Sequence, residues 1–153
     1  MAEGAIIARV LASPLEVDAT AWNALLALQS HPTPFMRHEY LAALHESESA
    51  VTHTAGAGAC GRHGVHCYPK AVVAVPFTPV PGTRLMARDA AARQWLVQAL
   101  CQWCEDEGIS SLHVLFASDD DVLTGAREGL MLTQYLVEPS ALSTAMKNAT
   151  VGM

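Results

Sequence analysis

The sequence is short of aromatics, cysteine and lysine, and each shortage excludes something. In 153 residues there are three each of Trp, Tyr and Phe, four Cys and two Lys. Four Cys is far below the density of a disulfide scaffold, so the thiols are expected to be reduced. A net charge of −6 and an acidic pI near 5.5 argue against general nucleic-acid binding, which needs clustered Lys and Arg. One local basic site remains open. No apolar run approaches the roughly 18 to 20 residues that cross a bilayer, because Pro, Asp, Arg or His interrupts every candidate. No membrane partner is therefore expected. The opening MAEGAIIAR lacks the basic region and unbroken apolar stretch of a secretory signal, which predicts a cytoplasmic location. Also absent are GxxxxGK[ST], a GxGxxG between strand and helix, and a GxSxG elbow, so no nucleotide-binding or hydrolase signature stands out.

What is present is apolar but small. Hydrophobic residues make up 51% of the chain, and 26 of them are Ala, so the effective core is smaller than that percentage suggests. The length suits one domain, expected over 1–137, with a flexible loop at about 48–64 and a weakly structured tail over 138–153. Residues 5–12, AIIARVLA, read as a first strand. Asp18 caps a predicted helix over 19–29 bearing Trp22, Leu25, Leu26 and Gln29 at helical spacing. Thr33 or Pro34 opens a second helix, roughly 35–46, with Met36, Tyr40, Leu41 and Leu44 as its apolar stripe. Residues 71–75, AVVAV, read as a buried strand, and Thr83–Met86 as a short edge strand or an extended segment. Asp89 and Gly108 bracket a long helix with Ala92, Leu96, Ala99, Leu100 and Trp103 inward. Residues 112–116 form the next strand, completing a βαβ unit. Ser118 caps a further helix stopped by Gly129, and 130–137 is the last strand candidate.

Four chemical constellations need weighing. Cys60, His63, His66 and Cys67 offer zinc-type ligands, but adjacent His66 and Cys67 are badly placed to face one ion, so no metal is expected. Cys101-Gln-Trp-Cys104 is a CxxC in the wrong half of its helix, beside acidic residues that raise thiol pKa values, so packing is favoured over redox chemistry. Asp119, Asp120 and Asp121 diverge around one helical turn and read as charges favouring a helix start, not as a magnesium site. His38 and His45 share a helix face but sit about 10 Å apart along the axis, too far to grip one metal. His113 alternates with Leu112 and Val114 and so points to the opposite face of its strand.

Two stretches resemble a known family. The segment PFMRHEYLAALHES over 34–47, and the longer run GRHGVHCYPK over 61–70 continuing into AVVAVPFTPVPGTRLM, resemble motifs of a bacterial family of predicted N-acyltransferases related to the Fem peptidyltransferases, in the broader GNAT-like superfamily. The likeness extends over 61–135. It implies an α/β fold, a GNAT-like mixed sheet with flanking helices and one βαβ unit. Family members carry further strands before the tyrosine-proline-lysine motif and a second half after the strand at 130–137, so the resemblance implies a shortened, internally deleted relative with an incomplete sheet. The implied reaction is acyl or aminoacyl transfer to an amine, with acyl-CoA or aminoacyl-tRNA as donor substrate and no resident cofactor. Positions falling on the motifs are Arg37, His38, Glu39, Tyr68, Lys70, Phe77, Thr78 and His113. Side-chain chemistry suggests that His38 or His113 moves a proton, that Arg37 or Lys70 holds an anionic group, and that Glu39, Tyr68, Phe77 and Thr78 line the substrate. The residues alone leave open a plainer reading, in which Arg37 and Glu39 are surface charge and Tyr68-Pro69 and Pro76-Phe77 shape strand ends. A noncatalytic interaction module is the alternative function, with exposed strand edges pairing copies into a homo-oligomer.

Overall fold

The computed structural model describes residues 6–47, 69–75, 78–135 and 146–152. Among these residues four α-helices, α1 (Ala19–Ala27), α2 (His38–Glu46), α3 (Ala90–Asp106) and α4 (Asp119–Arg127), flank four strands. The strands are β1 (Lys70–Val73), β2 (Ser111–Val114), β3 (Met131–Tyr135) and β4 (Met146–Gly152), in the sheet order β1-β2-β4-β3. β1 and β2 pair in parallel, whereas β4 runs antiparallel to both β2 and β3. The sheet is thus mixed, and β1-α3-β2 is the expected βαβ unit.

Local signals explain the helix ends. Asp18 accepts from Ala21 N at 2.7 Å and Asp89 accepts from Ala92 N at 2.7 Å, each satisfying a donor that the first turn leaves orphaned. Ser118 and Asp121 form a reciprocal capping box at the start of α4. Gly108 ends α3 at φ +65°, which lets Ile109 N reach back to Cys104 O at 2.8 Å.

The main core lies between one sheet face and the helices α3 and α4. Leu112 and Val114 of β2 pack there with Leu85, Val97, Cys104, Ile109, Ala117, Val122 and Leu130, and Ala71 and Val73 of β1 join from the edge. By the period of two, Lys70 and Val72 of β1 and Ser111 and His113 of β2 share the other face. A second, smaller cluster of Leu26, Met36 and Val75, backed by Trp22, Phe35, Tyr40 and Met86, holds α1 and α2 beyond the end of β1. A buried polar seam joins the two clusters. Gln29 donates to Leu25 O and Ala87 O while its oxygen accepts from Ala87 N and Arg93 Nη2, so its side-chain amide is fully used. Asp121, 1% exposed, accepts from the backbone of Arg84 at 2.7 Å and of Leu85 and Ser118, and lies 3.6 Å from Arg93 Nε.

Several expectations need correcting. Residues 6–12 are not a strand: Ile6, Ile7 and Val10 remain exposed, because β-propensity without a partner strand forms no ladder. Residues 146–152, expected within the weakly structured tail, form β4 inside the sheet, because hydrogen bonding from both β2 and β3 overrides a composition of small and polar residues. The helix expected over 35–46 divides into a 3₁₀ turn, Pro34–Met36, and α2, with Arg37 in extended backbone between them. Thr83–Met86 is not a strand: the chain bends at Arg84 and Leu85, after an isolated bridge from Gly82 to Ala117. On α3 the predicted Leu96, Leu100 and Trp103 do pack against the core, half-buried, but the fully buried positions are Arg93, Val97 and Cys104 beside them.

Candidate functional site

The family-motif residues sit on two supports. Arg37, His38 and Glu39 open α2. Lys70 and His113 lie on the sheet face opposite the main core, and Thr78 lies between the supports. Tyr68 and Phe77 fall outside the described residues, as do Cys60, His63, His66 and Cys67. Among the described residues no group of three or more His, Cys, Asp or Glu side chains is placed to hold a metal ion.

At the start of α2 the side chains are engaged in holding the corner together. His38 Nε2 lies 2.9 Å from Pro14 O, and a carbonyl only accepts, so Nε2 carries the proton. The His38 backbone N–H donates to Asn23 Oδ1 at 3.1 Å, and Asn23 Nδ2 donates to Glu39 Oε1 at 2.9 Å. Arg37 and Glu39 form an exposed ion pair at 3.3 Å, and the bond from Arg37 holds the Glu39 carboxyl below its ordinary value. Arg37 also lines a cavity of about 270 Å³ with Asn23, Leu26, Ala27, Pro32, Thr33 and Pro34. The Thr33 hydroxyl beside it is buried and has no hydrogen-bond partner among the described residues. Thr78 is buried, and its hydroxyl lies 3.3 Å from the Tyr40 hydroxyl. Tyr40 is in turn set edge-on to Phe35, with ring centroids 5.5 Å apart.

On the sheet face the arrangement differs. His113 is half-buried on β2, and its Nε2 lies 3.0 Å from Ser111 Oγ, two residues back on the same face. Burial, and then the positive charge of Lys70, push the imidazole below its ordinary pKa, so it is neutral at pH 7. In the parallel register Lys70 sits opposite Ser111 and Val72 opposite His113. A cation, a neutral imidazole and a hydroxyl therefore share one patch, with Val72 55% exposed beside them. Such a patch can accept a proton and stabilise negative charge.

The CxxC offers no comparable chemistry. Burial raises the pKa of both thiols, helped at Cys101 by Glu105 and Glu128 and at Cys104 by Cys101. Raised thiols are poor nucleophiles. Of the three successive aspartates, Asp121 turns inward and Asp120 accepts from Ser30 Oγ.

Sequence reasoning gave no role to Ser111 and read Asp121 only as a charge favouring the start of its helix, a part it does play in the capping box. Ser111 was marked only by its i, i+2 spacing from His113, and nothing in the Asp run told which carboxylate faces inward.

No curated protein matches this chain. Among solved structures, a mosquito arylalkylamine N-acetyltransferase like 5b is similar at a TM-score of 0.40 and 15% identity, covering 90% of this chain. The chain spans 65% of that protein's length. A family model, FemAB_like, described by peptidoglycan biosynthesis and recognition, matches residues 53–136. That match takes in β1, α3, β2, α4 and β3, and with them Lys70, Thr78, Ser111 and His113, while the stretch 34–47 lies outside it. The match covers more than half the sequence, and the chain belongs to the FemAB_like family.

Proposed function

We propose that this chain is an acyl-transfer domain that moves an acyl or aminoacyl group from an activated donor, acyl-CoA or aminoacyl-tRNA, to an amine. The observation that carries the reading is that the family-matched stretch holds Lys70 and His113 together on one sheet face, with His113 kept neutral by burial and by Lys70. As the amine attacks the donor carbonyl it must lose a proton, and the neutral imidazole of His113 takes it. Lys70 favours the negative charge that develops on the carbonyl oxygen before the leaving group departs. Arg37, at its cavity, holds an anionic part of the donor, and Glu39, Tyr68, Phe77 and Thr78 line the substrate path. His38 is the less suited candidate, because its Nε2 is engaged with Pro14 O and the ring helps to hold the corner together.

We place the domain in the cytoplasm, which fits the free thiols of Cys101 and Cys104. No helix among the described residues is long and apolar enough to cross a membrane. The unit that carries this reading extends past the expected boundary at 137, because β4 over Met146–Gly152 belongs to its sheet.

Incubation with acetyl-CoA or a charged tRNA and a panel of primary amines tests it. Donor breakdown that depends on the amine and fades as His113 is protonated supports the reading, and no turnover with either donor class counts against it. A second reading, an interaction module, is favoured by Val72, Met131 and Leu132, which are 55%, 67% and 47% exposed on the outer strands β1 and β3. A stable dimer without any response to donor would favour that reading.

A further inference from the structure

A cavity of about 440 Å³ lies on the helical side of the molecule, between α1, the segment 86–88 and α3. It is within the range of small-molecule sites. Leu25, Met86, Ala92, Trp95 and Leu96 form its walls, each half-buried, and Ile6 lies over it at 64% exposure. The backbone of Ala87, which also lines it, already exchanges two hydrogen bonds with Gln29, so this part of the wall asks nothing polar of an occupant. Among the described residues the one charged lining group is Arg88, whose side chain is 78% exposed at the rim and 3.2 Å from Asp89. Asp89 Oδ1 is meanwhile committed to capping α3 through Ala92 N.

A cavity with aliphatic and indole walls and one exposed guanidinium at its mouth, its Nε paired with Asp89, is complementary to a slender hydrocarbon tail ending in one negative charge. We propose that it binds a monoanionic amphiphile, a medium-chain carboxylate, with the tail against Trp95, Leu96 and Met86 and the carboxylate at Arg88. The site is separate from the His113 face: Leu96 packs on the main core, and Lys70 and His113 point away from that core. The inference does not rest on the acyl-transfer reading.

Decanoate below its micelle concentration, decanol as the neutral isostere, and the full chain make the test, read by tryptophan fluorescence and calorimetry. Saturable decanoate binding is expected. Arg88→Gln should weaken decanoate about fivefold, the scale of an exposed charge pair, and leave decanol within about twofold. Ala92→Phe, filling the cavity, should remove both. Non-saturable binding, or equal decanoate affinity in wild type and Arg88→Gln, overturns the proposal. Arg88 is exposed, so that variant decides the matter even if Ala92→Phe folds poorly.

Discussion

His38 and His113 are the same side chain on two different supports, and the supports decide what each can do. In the helical corner His38 is spent on structure, its Nε2 proton on Pro14 O and its backbone N–H on Asn23. Its charged neighbours Arg37 and Glu39 pair with each other in solvent. On the sheet the strand alternation that buries Leu112 and Val114 turns His113 to the opposite face, where partial burial and Lys70 favour the neutral ring. Matching a motif therefore does not make two histidines equivalent. A base needs an environment that keeps its proton off at the working pH.

The largest effect expected tests whether the polar seam holds the two regions together. Asp121→Ala removes the acceptor of three backbone donors and leaves the Arg93 guanidinium buried without its counter-charge, at a cost of about 3–5 kcal/mol. Chemical denaturation would measure it, and loss of both regions in one transition would show that the seam unites them. A smaller effect follows at their contact. A Cβ on Gly82 would clash with Thr33 Cγ2 and lie 3.2 Å from His31 O, so Gly82→Ala should cost about 1–3 kcal/mol as the connection between α1 and α2 shifts. A melting temperature unchanged from wild type would contradict it.

The pH dependence sharpens the comparison further. The unfolded chain takes up the His113 proton near pH 6.5, but the folded chain resists it until lower pH. The unfolded state therefore binds more protons in that window, and stability falls as pH drops from about 6.5 toward the folded value. Lys70→Met should move the imidazole back toward its ordinary pKa, measured by proton NMR titration of His113. The smallest effect belongs to the corner's ion pair: Arg37→Gln should leave the melting temperature essentially unchanged, since exposed pairs contribute little.

Much of this was legible in the sequence wherever local signals agree with tertiary packing. Asp89 and Gly108 announced α3, and Leu112-His113-Val114 announced which way His113 points. Legibility failed where long-range pairing decided. Residues 146–152, MKNATVG, have neither period nor strong propensity, and only β2 and β3 make them a strand. The reverse holds at residues 6–12, which look like a strand and lack a partner among the described residues. Arg93 is charged and so did not read as a buried position, yet Asp121, Gln29 and Leu85 O together make its burial tolerable. The site was legible as a set of residue types but not as a place, because the neighbours that separate His113 from His38 come from other strands and turns.

The most direct test of the central claim is a side-by-side assay of His113→Gln and His38→Gln for amine-dependent donor turnover. The account predicts that His113→Gln loses about 10²- to 10⁴-fold, the usual share of a general base, with its fold intact. His38→Gln should keep turnover within a few-fold and lose about 0.5–1.5 kcal/mol of stability with the bond to Pro14 O. Full activity in His113→Gln, or the loss falling on His38→Gln instead, would contradict it.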